Sequence, residues 1–93
     1  MNINLSPIAG QVKTVVKVVD ENTIIYNGTT YDFTAIPNGG EAIAREPAIG
    51  KITKSTDGIV TLTIKWIYKS KDSVTADRFP NNPYNIVKGV LNV

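Results

Sequence analysis

Hydrophobic and polar residues alternate with a period of two along most of the chain. In "VKTVVKVVD" (12–20), Val12, Thr14, Val16 and Val18 share one face, while Lys13, Val15, Lys17 and Val19 share the other. The lysines turn the odd-numbered face to water and leave the even-numbered face for a core. "TIIY" (23–26) is rich in β-branched and aromatic residues and predicts a second strand. Asn27-Gly28 follows it, and this pair favours a type I′ hairpin turn because both central positions need positive φ. "TTYDF" (29–33) returns with Thr29, Tyr31 and Phe33 on one face and Thr30 and Asp32 on the other. The pattern predicts a three-strand meander.

A break occupies roughly residues 34–48. Pro37 cannot donate to a sheet ladder, and Asn38-Gly39-Gly40 is turn chemistry. "EAIARE" offers one helical turn with Glu41 and Arg45 at i,i+4 spacing, which Pro47 would stop. A second hairpin follows: "AIGKITKS" leads to Asp57-Gly58, and "IVTLTIKWIY" (59–68) is the clearest strand in the chain. Val60, Leu62, Ile64, Trp66 and Tyr68 lie on one face of it. Thr61, Thr63, Lys65 and Lys69 lie on the other, with Ile67 as the apolar exception. Such alternation marks an antiparallel strand that covers a core on one side.

"KSKDSVTADRFPNNP" (69–83) is polar and punctuated and predicts a loop, and "YNIVKGVLNV" suggests a closing hairpin across Lys88-Gly89. No repeat, low-complexity run or linker interrupts the chain. The expectation is one all-β domain over residues 1–93. It would be a small antiparallel sandwich or barrel of six to eight short strands, with at most one short helical turn.

Composition narrows the chemistry. The 93 residues include no cysteine and no histidine. Disulfides, thiolate or imidazole metal sites, cysteine nucleophiles and the serine–histidine pair are thereby excluded. We expect no catalytic residues, no metal and no cofactor. The opening "MNINLSPIAGQVK" lacks the basic start and apolar run of a signal peptide, and no apolar stretch reaches the roughly 20 residues that span a bilayer. The expectation is a product made in the cytoplasm without membrane association. Net charge is +2, too small to argue for nucleic acid. Its distribution is uneven: residues 1–47 hold three basic and five acidic groups, and residues 48–93 hold seven basic and three acidic.

Each candidate for chemistry has a plainer structural reading beside it. Asp20 and Glu21 are adjacent in a predicted turn, where carboxylates are well solvated. Asp32, near a strand end, can cap backbone N–H groups of the following turn, and no partner base or metal ligand accompanies it. "NGG" (38–40) lacks the spacing of a phosphate loop. "KWIYKSK" (65–71) interleaves bases with aromatics as single-strand nucleic-acid surfaces do, but alternation points Trp66 and Tyr68 away from Lys65 and Lys69. "DRFPNNPY" (77–84) has two readings. Phe79 plugs the core from a rigid crossover, or Arg78 and Phe79 anchor a partner protein.

The ordered set "NLSPI" (4–8), "IIYNGTTYDFTAIPNGG" (24–40), "DGIVTLTI" (57–64) and "RFP" (78–80) resembles a family of small tailed-bacteriophage and prophage proteins encoded near tail and tail-fibre genes. The resemblance spans most of the chain. It implies a non-enzymatic role in tail structure or assembly through protein–protein contacts, with a tail or tail-fibre protein, or a second copy of the chain, as partner. It implies presence in the host cytoplasm and in the virion. Asp32, Phe33, Arg78, Phe79 and Pro80 match the family's recurring positions. After the long strand the chain departs: relatives turn through proline and glycine where this one has "KWIYKSKD". An alternative role is an intracellular phage factor that binds nucleic acid or a host protein.

Overall fold

The computed structural model describes residues 1–69 and 75–91. Two β-sheets face each other across one core, so the protein is an all-β sandwich. Its strands in chain order are β1 (Asn2–Ala9), β2 (Val16–Asp20), β3 (Thr23–Tyr26), β4 (Thr29–Asp32), β5 (Glu41–Ile43), β6 (Ala48–Lys54), β7 (Val60–Tyr68), β8 (Tyr84–Asn85) and β9 (Gly89–Val90), with a single helical turn, α1 (Thr75–Arg78), between β7 and β8. One sheet has the order β5-β6-β7-β1-β8, the other β4-β3-β2-β9. The described strands thus number nine, more than six to eight, because two are two-residue pieces that close the sheet edges.

The meander forms as the pattern predicts. Asn27 and Gly28 take φ values of 47° and 85°, the double positive-φ geometry of a type I′ turn. Tyr26 then pairs with Thr29, and Ile24 with Tyr31. Thr14, Val16 and Val18 are buried, as the even-numbered face requires, but Val12 precedes the strand and is 72% exposed. On β7, Val60, Leu62, Ile64 and Trp66 are all buried. They meet Val16, Val18 and Ile24 in the core between the sheets. Burial of this face stabilises the fold by about 25 cal/mol for each Å2 of apolar area removed from water.

Three parts differ from the sequence expectation. Residues 2–9 form a strand, and it runs parallel to β7, with Ile3 beside Leu62 and Leu5 beside Ile64. A parallel pair needs no turn between its strands, so local turn signals do not reveal it. Glu41–Ile43 is a strand, not a helical turn, because its backbone pairs with Lys51–Thr53; the helical turn occurs at Thr75–Arg78. Among the described residues the closing hairpin is absent as well. β8 pairs with β1 and β9 with β2, so the chain passes from one sheet to the other across Ile86–Lys88. Ile86 is held at that crossing, where its N–H donates to the Met1 carbonyl and its carbonyl accepts from the Met1 ammonium.

Polar groups also join the sheets. The Tyr26 hydroxyl, on β3, donates to the Lys65 carbonyl of β7 at 2.8 Å. The Thr14 hydroxyl beside it accepts the Ile67 N–H at 2.8 Å. At the other flank, buried Lys54 donates from Nζ to the Phe33 carbonyl at 3.0 Å. Low local dielectric makes such satisfied buried bonds specific to one register of the two sheets.

Candidate interaction site

The five positions carried by the family resemblance fall into two groups. Asp32 and Phe33 stand at the corner where β4 leaves its sheet. Asp32 Oδ1 accepts from the Thr34 N–H at 2.8 Å and from the Thr34 hydroxyl. The bond from the Thr34 hydroxyl, then that from its N–H, hold the Asp32 carboxyl below the usual aspartate range. Asp32 thus caps its own turn. Phe33 continues the corner: its N–H donates to the Asn22 carbonyl, and its carbonyl accepts from Ile36 and Lys54. The ring is partly buried against the core. Gly40 then closes the turn by donating to the Pro37 carbonyl at 2.9 Å. A Cβ at Gly40 would stand 2.9 Å from that carbonyl oxygen, so the approach admits only glycine without a shift.

Arg78, Phe79 and Pro80 lie at the end of the sandwich where β1 and β7 terminate. Phe79 does not plug the core. Its residue is 77% exposed, and the inner space at this end is taken by Trp66 at 2%. The indole N–H of Trp66 donates to Asp77 Oδ1 at 3.0 Å. Asp77 is 1% exposed, and the Lys13 ammonium stands 3.9 Å from the same oxygen. This buried latch fixes α1 against β7 and so directs the next residue outward. Arg78 lies over the Tyr68 ring, 5.9 Å from its centroid, in a cation–π arrangement. Pro80 is half-buried behind Phe79. Asn82 then anchors the crossover on β1: it accepts from the Leu5 N–H at 2.9 Å and donates to the Leu5 carbonyl at 3.0 Å.

The same end carries further apolar surface. The Lys13–Asp77 approach brings residues 10–15 beside α1, so exposed Val12 shares this end with Phe79. Ile8, 41% exposed, pairs in register with Ile67 on the outer face. Phe79, Val12 and Ile8 are thus exposed apolar residues toward this end, and Arg78 and Lys13 are their charged chain neighbours or near neighbours.

Asp20 and Glu21 remain solvated in the β2–β3 turn, where Asp20 Oδ1 accepts the Asn22 N–H at 2.9 Å. They share with Asp32 an open cleft of about 670 Å3, but among the described residues no acidic cluster of metal-binding geometry forms. The stacking reading of residues 65–71 needs exposed rings. Trp66 is in the core, and Lys65 is ion-paired with Glu46. Residues 70 and 71 lie outside the described residues.

Two determinants went unnoticed in the sequence: Asp77 and Lys54. A lone tryptophan on the inner face of a strand end needs an acceptor for its N–H, so an acid in the following loop was the available signal for Asp77. Lys54 gave none, because an inward lysine breaks the alternation that otherwise reads the strand. Compared with family models, curated proteins and solved structures, the chain matches none of them.

Proposed function

We propose that the protein is a non-enzymatic binding module that docks a partner protein through the Phe79 end of the sandwich. The single observation that supports this reading is the Trp66–Asp77 latch beneath Phe79. A large ring lies 77% exposed two residues after Asp77, which is 1% exposed. Holding an aromatic side chain in water costs free energy, and rigid placement lowers the entropy lost when a partner covers it. Arg78 and Tyr68 beside it are residue types enriched among binding hot spots.

The finer reading, on the strength of the family resemblance, is a tailed-bacteriophage tail-associated structural or assembly protein whose partner is a tail or tail-fibre polypeptide. A second copy of the chain is the other protein partner this surface would suit. The intracellular alternative, a phage factor that binds nucleic acid or a host protein, draws on the excess of basic groups in residues 48–93. Mass spectrometry of purified phage particles beside the infected-cell lysate tests the tail reading. The chain is expected in the particles, in fixed ratio to a tail polypeptide. Its confinement to the lysate, with no tail polypeptide bound to it, would sink that reading.

A further inference from the structure

A second site lies on the opposite flank of the sandwich, where edge strands β4 and β5 leave the space between the sheets open. There a slot of about 340 Å3 opens over the core: buried Ile24, Ile52, Leu62 and Ile64 form its floor, and partly buried Tyr31 and Phe33 flank it. Ala48 contributes the smallest apolar side chain to the lining, and Ile43 at the rim is 84% exposed. The volume falls at the small end of ligand pockets, which span about 300–1,000 Å3.

Charge at the mouth selects among apolar occupants. Arg45 and Glu46 both border the slot. Glu46 is drawn to Lys65 on the outer face of the sheet, and Glu41 is drawn to Lys51. No carboxylate among the described residues pairs with Arg45, so its guanidinium is the uncompensated charge at the opening. A planar guanidinium matches a carboxylate with two parallel hydrogen bonds. An apolar slot beneath it matches the tail of the same molecule.

We infer that this slot binds a small amphipathic carboxylate, with its hydrocarbon or aryl group in the slot against Tyr31, Phe33 and Ala48 and its anionic head on Arg45. The ligand covers Ile43 at the rim and replaces the carboxylate that the fold withholds from Arg45. This site is independent of the Phe79 surface and stands or falls without it.

Octanoate is a suitable probe, with octanol as the uncharged control, read by titration of backbone amide resonances of the full chain. Octanoate is expected to move the amides of Tyr31, Phe33, Ala48 and Ile52 saturably, and to bind more tightly than octanol. Arg45→Glu, an exposed substitution, is expected to weaken octanoate roughly ten-fold and leave octanol unchanged, as loss of a charge-assisted bond requires. Ala48→Phe fills the slot and is expected to abolish binding of both, with tryptophan emission confirming the fold. If that variant does not fold, Arg45→Glu decides alone. Octanoate that fails to saturate, that moves amides elsewhere, or that binds Arg45→Glu as well as the parent overturns the inference.

Discussion

Replacing Asp77 with alanine tests the latch on which the placement of Phe79 depends. The carboxylate accepts the Trp66 N–H at 3.0 Å while 1% exposed, so its removal leaves an indole donor buried without its acceptor. A hydrogen bond to a charged group contributes about 1.5–3 kcal/mol. The Lys13 contact adds less, about 0–1 kcal/mol, because that ammonium is 3.9 Å away and its side chain is half exposed. Burying a carboxylate carries its own desolvation cost, and deleting it returns part of that term. The net expectation is a loss of about 2–4 kcal/mol, a large share of the roughly 5–15 kcal/mol that stabilises a small domain. For a domain of this size it corresponds to a drop on the order of 10–25 °C in melting temperature. Urea unfolding followed by circular dichroism measures the stability. Emission from Trp66, the one tryptophan in the chain, reports the latch itself. Asp77→Asn keeps one acceptor oxygen and is expected to lose about half as much. Parental stability and an unshifted emission maximum in Asp77→Ala would refute the latch and, with it, the reason given for the outward Phe79.

Phe79→Ala, by contrast, is expected to stay within about 0.5 kcal/mol of the parent, as surface changes do, while partner binding falls at least ten-fold; denaturation and pull-down with the identified partner check the two halves. Tyr26→Phe removes the bond to the Lys65 carbonyl between the sheets and is expected to cost about 1 kcal/mol by urea unfolding. Gly28→Ala meets no neighbouring atom but forces alanine to a φ near 85°, so about 1 kcal/mol of backbone strain should appear in the same assay. The pH dependence follows from Asp32, whose carboxyl is held below its ordinary value by Thr34. Its folded pKa is therefore lower than its unfolded one. The contribution is complete above the unfolded value and disappears as pH falls through the folded one. Thr34→Val should flatten that acid limb in a pH titration of stability, and an unchanged limb would contradict the capping role.

Legibility in the sequence followed locality. The meander and β7 could be read because alternation and Asn-Gly or Asp-Gly turns act within a few residues. β1 could not, because its pairing with β7 is parallel and joins residues some sixty positions apart, with Asn2 beside Thr61. Pro7 further obscured it. Leu5 donates its N–H away from β7, to Asn82, and Gly10 donates its own toward β7, to the Tyr68 carbonyl. Alternation therefore places the missing N–H of Pro7 on the open side of β1, where a strand edge tolerates it. β8 and β9 escaped for a related reason. Two-residue pieces are fixed by the strands they join, not by their own pattern. At the candidate site, the turn role of Asp32 was legible from its place near a strand end ahead of a turn. The exposure of Phe79 was not, because an aromatic after a polar loop reads equally as plug or anchor. Burial of Asp77 resolved that choice, and it depends on a tryptophan eleven residues away.

The most direct test of the binding role is a photo-crosslinker placed at position 79 as a phenylalanine analogue, activated in phage-producing cells. The account predicts a covalent adduct between this chain and one tail polypeptide, lost when Asp77 is also changed to alanine. Irradiation that yields no adduct, in cells or in particles, would contradict it.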